Sequence, residues 1–285
     1  MRHYVPEIAL VTMCCSPQTG MDTLEPQLAY SDFLDRLRSA SKRVLLLDYD
    51  GTLAPFSVDR EHAFPYPEVP ELLTRIRDAG TRLVLISGRI AREALLLTGV
   101  HPHPEIWGSH GLERLKPDGN YEVGALQPEY ESSLLQAVEA TRQFNLESRM
   151  EIKPGSLAVH WRDLEKGQAG QLCEEVLRLW DPFLHADNPL DLLRFDGGIE
   201  LRVPAVNKGS AVEAILAESG PDAAVAYLGD DLTDEDAFRV LKGRGLTALV
   251  RPQFRTTEAE VWLKPPEQLV QFLEDWLRAA EGAQT

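Results

Sequence analysis

The sequence predicts an α/β fold in which a parallel, doubly wound sheet is interrupted by an inserted α+β module. Two observations predict the sheet. Short apolar runs alternate with helical patterns in both outer parts of the chain, and the first run, 44–47, is continuously apolar, as in strands buried on both faces. A third observation predicts the insertion, because the middle of the chain carries Gly-containing hairpin turns instead. These turns are Asp118-Gly119, Pro154-Gly155 and Asp196-Gly197-Gly198.

The same patterns divide the chain into three parts. We expect a Rossmann-like core of residues 28–112 and 204–285, an inserted α+β cap of residues 113–203, and an N-terminal extension of residues 1–27. The extension has few periodic features, so we expect it to be disordered or to precede a true start at Met21.

The core elements follow one another as alternating helices and strands. A short amphipathic helix is predicted from Tyr30 to Leu37, with Ser31 as its N-cap. After the strand at 44–47, a helix over 68–79 ends at Gly80, and a later helix begins near Ala91. The remaining predicted core strands are 82–87, 106–111, 224–231 and 245–250.

In the cap, two helices over 128–144 and 167–184 are predicted to back a sheet of antiparallel strands. Alternate residues of a strand point to opposite faces, so each cap strand has one apolar and one charged face. The apolar positions are Ile152, Val159, Trp161, Ile199, Leu201 and Val203, and the charged ones are Glu151, Lys153, His160, Arg162, Glu200 and Arg202. A charged sheet face is most often only solvated. Here Glu200 and Arg202 shortly precede Lys208 in the sequence, so this charged face is expected near the edge of the core that carries the reactive side chains. A face with Glu, Lys, His and Arg at that place suits a polyhydroxylated ligand.

Composition restricts the partners of the chain. A net charge of −16 and a pI near 4.9 disfavour nucleic acid and anionic membranes as partners. An anionic small molecule would need a metal ion or a basic cluster to reverse the local field. The three cysteines form no disulfide framework or zinc-binding spacing, and no apolar run reaches ~18 residues. We therefore expect a cytoplasmic protein.

Reactive side chains follow several of the predicted core strands. Asp48 and Asp50 end the first strand, Ser87-Gly88-Arg89 ends the second, Gly229-Asp230-Asp231 ends a later one, and Lys208 precedes another helix. Any one of these could merely be a helix N-cap or a turn residue. Together they point to a site, because ligands of parallel sheets bind beyond the carboxyl ends of the strands.

The chemistry of this set is that of phosphoryl transfer. Two carboxylates as close as Asp48 and Asp50 cannot both stay charged without a proton or a cation between them. With Asp230 they offer oxygen ligands suited to Mg²⁺. Asp48 can then attack phosphorus and Asp50 can move the proton. Ser87 with nearby amides, and Lys208, can hold the charged oxygens.

These motifs resemble those of the haloacid dehalogenase superfamily. "LDYDGTL", Ser87, Lys208 and "GDDLTDED" stand in the order of the four motifs of that superfamily. The resemblance implies a haloacid dehalogenase core in which Asp48 is the nucleophile. It also implies that Asp50 is the acid/base and a ligand through its carbonyl, and that Asp230 is a metal ligand. Asp231 or Asp234 would lie in or near the next layer of groups around the metal.

Four further strings resemble signature segments of the trehalose-6-phosphate phosphatases within that superfamily. They are "WGSHGLE", "EIKPGSLAVHWR", "GGIELRVPAVNKGSAV" and "YLGDDLTDEDAF", and the resemblance covers about 34–273. Arg251 departs from it, because a small residue is expected there. The substrate-binding residues expected on this basis are Gly88, Arg89, His110, Glu151, Lys153, His160, Arg162 and Glu200.

The resemblance implies Mg²⁺-dependent hydrolysis of trehalose 6-phosphate to trehalose and phosphate through a phosphorylated aspartate. The expected partners are this small-molecule substrate and, functionally, a trehalose-phosphate synthase, but neither nucleic acid nor a membrane. One alternative is a phosphatase for another sugar phosphate, such as sucrose phosphate or a mannosyl phosphate, or a phosphomutase. A second alternative is a catalytically inactive regulatory module with the same fold.

Overall fold

The structure, a computed structural model, describes residues 25–57, 59–187, 189–195, 197–204 and 206–282. Within these ranges the strands form two separate sheets. The strands are β1 (Arg43–Leu47), β2 (Thr81–Ile86), β3 (Glu105–Gly108), β4 (Glu113–Leu115), β5 (Tyr121–Val123), β6 (Met150–Lys153), β7 (Ser156–His160), β8 (Asp191–Phe195), β9 (Gly198–Arg202), β10 (Ala224–Gly229), β11 (Leu246–Val250) and β12 (Val261–Leu263). The helices are α1 (Glu25–Ser39), α2 (Val69–Asp78), α3 (Ala91–Leu97), α4 (Pro128–Gln143), α5 (Lys166–Leu184), α6 (Lys208–Ser219), α7 (Glu235–Leu241) and α8 (Glu267–Glu281).

The larger sheet has eight strands in the order β12-β11-β10-β1-β2-β3-β4-β5. Its first six strands are parallel, and β1 lies between β10 and β2. Leu45 and Leu47 pack in one apolar cluster and Val44 and Leu46 in another, one on each side of the sheet. Burial on both faces explains the continuous apolar run of β1, and the predicted parallel α/β core is confirmed.

The smaller sheet is antiparallel, in the order β6-β7-β9-β8, and α4 and α5 pack against it. Its helix-facing positions Val159, Ile199 and Leu201 are fully buried, as predicted from the alternation. Trp180 of α5 fills this core and donates a hydrogen bond from Nε1 to Thr141 Oγ1 at 2.9 Å. Ile152 departs from the expectation, because it lies on the edge strand β6 and remains 53% exposed.

The hairpin of β4 and β5 corrects the expected start of the cap at residue 113. Both strands extend the eight-stranded sheet, with β4 antiparallel to β3. A 3₁₀ turn at Ser109–Gly111 reverses the chain so that Glu113 returns beside β3. The Glu113 carboxylate accepts hydrogen bonds from the Ser109 hydroxyl and from the Ala91 amide, which fixes the reversal. The second sheet therefore begins well after residue 113.

The first helix also differs from its prediction. It begins at Glu25 rather than Tyr30, so Ser31 lies inside the helix and is not its N-cap. Pro26 at the second helical position is compatible with a first turn, whose N–H groups have no partner within the helix. Tyr30 and Phe33 pack against Phe272 and Trp276 of α8. The expected extension thus overlaps α1 by residues 25–27, while residues 1–24, with Met21, lie outside the described part.

Among the residues that the structure describes, no helix is long and apolar enough to span a membrane.

We expect β1 to be central to stability. Leu45 is fully buried in the middle of the sheet, so Leu45→Ala should lower the free energy of unfolding by about 2–5 kcal/mol through lost burial and a cavity. Leu96 is 81% exposed, and Leu96→Ala should change it by less than ~0.5 kcal/mol. Urea unfolding of both variants measures the difference. Equal losses would contradict the placement of β1 at the centre of the sheet.

Candidate active site

The carboxyl ends of the parallel strands meet at one edge of the core, and the cap sheet lies above that edge. A cleft that is open to solvent lies between them. Asp48 follows β1, Ser87 follows β2 and Asp230 follows β10, while Lys208 begins α6. Every predicted catalytic and substrate-binding residue lines this cleft: Asp48, Asp50, Ser87, Gly88, Arg89, His110, Glu151, Lys153, His160, Arg162, Glu200 and Lys208.

Asp48 and Lys208 form a buried ion pair at the floor of the cleft. Lys208 Nζ donates to Asp48 Oδ1 at 2.6 Å, and the Thr52 hydroxyl approaches Asp48 Oδ2 at 3.3 Å. Burial raises the pKa of Asp48 to about 7, although Lys208 opposes the rise. Burial would lower the pKa of Lys208, but the carboxylates of Asp234 and Asp48 outweigh it and raise that pKa. Lys208 therefore remains a cation beside Asp48.

Asp234 is fully buried beneath the cleft, and both of its carboxylate oxygens accept hydrogen bonds. Oδ1 accepts from Lys208 Nζ at 2.7 Å and from the Tyr227 hydroxyl at 2.6 Å. Oδ2 accepts from the amides of Asp230 and Asp231 at 3.0 and 2.9 Å. Asp234 thus holds the lysine and the loop that carries Asp230.

Asp230 is held less closely by a cation than Asp48 and Asp234 are, because Arg251 Nη1 lies 3.9 Å from its Oδ2 whereas Lys208 Nζ lies 2.6 and 2.7 Å from their oxygens. Asp230 Oδ2 is buried and has no hydrogen-bond partner among the residues that the structure describes. Burial together with the negative charges of Asp48 and Asp234 raises the pKa of Asp230 well above the ordinary value. Oxygens of Asp48, Asp230 and Asp234 lie within 4.8 Å of one another. A buried oxygen without a partner in such a group fits a hard cation. Gly51 has φ +84°, and a Cβ there would collide with Asp230 Oδ2.

Asp231 lies at the rim and caps the following 3₁₀ turn. Its side chain accepts a hydrogen bond from the Asp234 amide, and the Asp234 carboxylate accepts one from the Asp231 amide. Asp231 lines the cleft whereas Asp234 does not. Of the two residues that the sequence left open, Asp231 is the one exposed to a bound molecule.

Asp50 points to the wall of the cleft, where Arg89 holds it. Arg89 donates from Nε to Asp50 Oδ2 and from Nη2 to Asp50 Oδ1, both at 2.6 Å. The Arg89 side chain is only 3% exposed, and its guanidinium lies 5.7 Å from the centre of the Tyr49 ring. The paired contact fixes the plane of the carboxylate. Arg89 therefore orients the Asp50 carboxylate, whereas Lys208 holds the Asp48 carboxylate.

Gly88, His110 and Glu200 join the core to the cap. His110 Nε2 lies 3.2 Å from Glu200 Oε2, and a Cβ on Gly88 would come within 2.7 Å of the His110 ring, so only glycine fits there. Burial lowers the pKa of His110 despite the nearby Glu200 carboxylate. The His110 backbone has φ 57°, a left-handed conformation that costs energy for a residue with a side chain.

The charged face of the cap sheet meets the core through polar contacts. Lys153 Nζ donates to the Gly88 carbonyl at 3.1 Å and lies 3.0 Å from Glu200 Oε1. Arg162 also donates to the core, to the Ser57 carbonyl at 3.1 Å. Within the cap sheet, His160 Nε2 lies 2.8 Å from Glu151 Oε2. Burial would raise the pKa of Glu151, but His160, Lys153 and Arg60 hold it well below the ordinary range.

Sequence reasoning missed several residues that line the cleft, namely Phe56, Arg60, Leu193, Phe195 and Thr233. Alternation along β8 could have placed Leu193 and Phe195 on the same face as Glu200, because Leu193 pairs with Glu200. Phe56 and Arg60 lie in an irregular loop after β1, where no periodicity indicates which side chains turn inward.

Arg251, which departs from the expected small residue, lies beside the Asp230 loop. Its Nη1 donates to the Asp230 carbonyl at 3.3 Å and lies 3.9 Å from Asp230 Oδ2. Arg255 donates to the carbonyls of Asp230 and Asp231 at 3.2 and 2.7 Å. The two arginines hold the main chain of this loop from outside the cleft.

The chain is similar to one protein family, to several curated proteins and to solved structures. The model of a family described as trehalose-phosphatase matches residues 46–261. The chain is 32% identical over 257 residues to a probable trehalose-phosphate phosphatase C of Arabidopsis thaliana, with 81% of this chain and 75% of the relative covered. It is 30% identical to a bifunctional trehalose-6-phosphate synthase/phosphatase of Thermoproteus tenax, covering 83% of this chain but 33% of that protein. The solved C-terminal domain of C. albicans trehalose-6-phosphate phosphatase superposes with a TM-score of 0.73 at 21% identity, covering 90% of this chain and 97% of that one.

We expect Asp234 to be required for the fold of the site. Asp234→Asn leaves a single acceptor oxygen for four donors and removes one charge beside Lys208, so the free energy of unfolding should fall by about 3–5 kcal/mol. Denaturant unfolding in the presence of a chelator measures it without a metal contribution. Asp222 is exposed, and Asp222→Asn should change the value by less than ~0.5 kcal/mol. A loss below that limit for Asp234→Asn would contradict the role of this carboxylate.

Proposed function

The chain belongs to the trehalose-phosphatase family, and on this premise we propose that it hydrolyses trehalose 6-phosphate to trehalose and phosphate. One observation carries the proposal. A buried Asp48–Lys208 pair lies beside Asp230, whose Oδ2 accepts no hydrogen bond from the described residues, and a polar cap face with Glu151 and Glu200 lines the same cleft. The core side of the cleft, with Asp48, Lys208 and Asp230, suits a phosphate with its metal ion. The cap side, with Glu151 and Glu200, suits a sugar with many hydroxyl groups.

Asp48 is the proposed nucleophile. Its oxygen attacks phosphorus, a new bond forms between Asp48 and the phosphoryl group, and the bond from phosphorus to the sugar oxygen breaks. Lys208, 2.6 Å from Asp48 Oδ1, holds the attacking carboxylate and offsets negative charge as the phosphate approaches. Water then attacks phosphorus, the bond between phosphorus and the Asp48 oxygen breaks, and phosphate leaves with Asp48 restored as a carboxylate.

Asp50 is the proposed proton carrier. The sugar oxygen leaves as a strongly basic alkoxide unless a proton reaches it, so a carboxyl group at this place accelerates the first step. In the second step the same carboxylate accepts a proton from the attacking water. The two 2.6 Å hydrogen bonds from Arg89 support this role, because they fix the direction of the Asp50 oxygens.

Mg²⁺ is the proposed cofactor, held by Asp48, Asp230 and the Asp50 carbonyl, with Asp231 close by. Asp234 would not be a ligand, because all of its described hydrogen-bonding capacity serves Lys208, Tyr227 and the loop amides. When bound, Mg²⁺ supplies positive charge for the phosphoryl oxygens. Asp230 Oδ2, which accepts no hydrogen bond from the described residues, and the oxygen-only donor set support this choice of metal.

The cap residues are proposed to recognise the sugar. Glu151, Lys153 and Glu200 present donors and acceptors in fixed positions, and His160 and Arg162 extend the same face. A site of fixed hydrogen-bonding groups rejects analogues that leave those groups unpaired. The core places Ser87 and the amides near Gly88 and Arg89 around the phosphate.

A trehalose-phosphate synthase is the proposed functional partner, since its product would be the substrate of this site. The fusion named in the Thermoproteus tenax relative supports the link. Cys173 is a free thiol, which is compatible with the cytoplasm as the proposed compartment.

Replacing the nucleophile should abolish turnover. Asp48→Asn keeps the size of the side chain but loses its nucleophilic charge, so kcat/KM on trehalose 6-phosphate should fall at least ~10³-fold. Phosphate release in the presence of Mg²⁺ measures it, and Asp222→Asn serves as the control with unchanged activity. Retention of more than a tenth of the activity by Asp48→Asn would exclude this mechanism.

The same assay on a panel of sugar phosphates tests the substrate. Trehalose 6-phosphate should be preferred over sucrose 6-phosphate, mannose 6-phosphate and glucose 6-phosphate. Comparable rates would favour a broader sugar phosphatase. Absence of any turnover and of any phosphorylated enzyme would favour an inactive regulatory module.

Metal binding should stabilise the protein, because it relieves the repulsion among the clustered carboxylates. At a Mg²⁺ concentration about 100 times Kd the gain should be ~2.7 kcal/mol, visible as a rise in Tm that a chelator reverses. Asp230→Asn should abolish the rise, whereas Asp222→Asn should retain it. A Mg²⁺-dependent rise that persists in Asp230→Asn would place the metal elsewhere.

A further inference from the structure

Arg60 touches both the cap and the core, and the roles assigned above do not use it. It begins a 3₁₀ turn, Arg60–His62, in the loop between β1 and α2. Asp59 caps this turn, accepting a hydrogen bond from the Glu61 amide at 3.2 Å. The turn lies at the mouth of the cleft, which Arg60 lines.

The guanidinium of Arg60 contacts two side chains of the cap. Its Nη1 forms an ion pair with Glu151 Oε2 and lies 3.4 Å from His160 Nε2. The two paired side chains are only 30% and 18% exposed, so the pair is shielded more than a surface salt bridge. Glu151 belongs to β6 and His160 to β7, so this contact holds the first hairpin of the cap sheet against the core.

The main-chain carbonyl of Arg60 faces the other way, towards the catalytic wall. It accepts a hydrogen bond from Arg89 Nη1 at 2.7 Å. Arg89 Nε and Nη2 donate to the two carboxylate oxygens of Asp50. Among the described contacts, the guanidinium of Arg89 is thus positioned between Asp50 and the carbonyl of Arg60. A shift of the Arg60 turn therefore shifts the group that orients Asp50.

We propose that Arg60 is a positioning residue that ties the orientation of the Asp50 carboxylate to the closed position of the cap. This inference rests on the proposed function, because it concerns the proton that Asp50 gives to the leaving sugar oxygen. When Glu151 moves away with the cap, the Arg60 side chain loses its partner and its turn loses an anchor. Arg89 then holds Asp50 less firmly, and proton transfer is favoured only while Arg60 and Glu151 stay in contact, as they are in this structure.

The alternative is that Arg60 only binds the sugar. The two roles differ in what they do to substrates too small to reach Glu151. A pure sugar contact affects trehalose 6-phosphate alone. A misplaced proton donor slows every ester in proportion to the basicity of its leaving group, because a weakly basic leaving group departs without a proton.

The test is the dependence of kcat/KM on the leaving group in Arg60→Ala, with methyl, phenyl and p-nitrophenyl phosphate as substrates. We expect a loss of roughly 30- to 100-fold for methyl phosphate and of less than ~3-fold for p-nitrophenyl phosphate. Arg60→Lys keeps a positive charge that can pair with Glu151, so it should restore most of the activity on methyl phosphate. Thermal unfolding of each variant verifies the fold.

Arg75 provides the matched control, because its ion pair with Glu281 lies on an exposed part of the core. Arg75→Ala should leave the dependence on the leaving group unchanged. Glu151→Gln should reproduce the effect of Arg60→Ala, and the double variant should lose no more than the single variants, as expected for residues that act as one unit.

Two results would overturn the inference. One is an equal loss on all three esters in Arg60→Ala. The other is a raised KM for trehalose 6-phosphate with an unchanged dependence on the leaving group. If the unmutated protein hydrolyses no monoester, the proposed function fails, and hydrogen exchange tests the coupling instead. Amides of 87–93 should then exchange faster in Arg60→Ala than in Arg75→Ala, and equal exchange would overturn the link.

Discussion

The site depends on one buried cation, Lys208, held between two carboxylates. Asp48 lies at the end of β1 and Asp234 lies below it, and Lys208 Nζ is 2.6 and 2.7 Å from their oxygens. Removing such charges from water is costly, and the cost is offset only when every partner is present. The lysine therefore ties β1, α6 and the loop after β10 together. Because that loop carries Asp230, the proposed nucleophile Asp48 and the proposed metal ligand Asp230 cannot shift independently.

Above this floor, the cap is joined to the core by polar rather than apolar contacts. Lys153, Arg162 and Glu200 each reach a core group that they would lose on opening. Water can replace such contacts, so opening costs less than the separation of an apolar interface. The same groups are the proposed sugar contacts. A substrate that enters therefore exchanges hydrogen bonds with the cap while the two apolar cores remain intact.

Much of this arrangement follows from local patterns in the sequence. The continuous apolar run of β1 and the alternation around Glu200 each reflect which side chains are buried, and burial is visible in the order of apolar and polar residues. The family resemblance named the residues of the cleft, and the structure brings them together there. Local patterns did not predict that β4 and β5 join the core, because Asp118-Gly119 indicates a hairpin but not its neighbour. Arg60 was missed for a related reason: its position depends on a loop fixed by contacts distant in sequence. The start of α1 depends likewise on packing against α8, which the residues around Ser31 do not reveal.

The two outer strands of the large sheet, β5 and β12, have three residues each. An exposed sheet edge is a template on which another chain can add a strand, and long flat edges lead to aggregation. Here β5 pairs with only three residues of β4, and Lys116 and Glu122 place charges beside it. At the opposite edge, Lys264 and two prolines follow β12 directly, and proline cannot donate to a further ladder. Within the described residues, the eight-stranded sheet thus ends on both sides in strands of three residues, which leave few free backbone groups on which a second chain could add a strand.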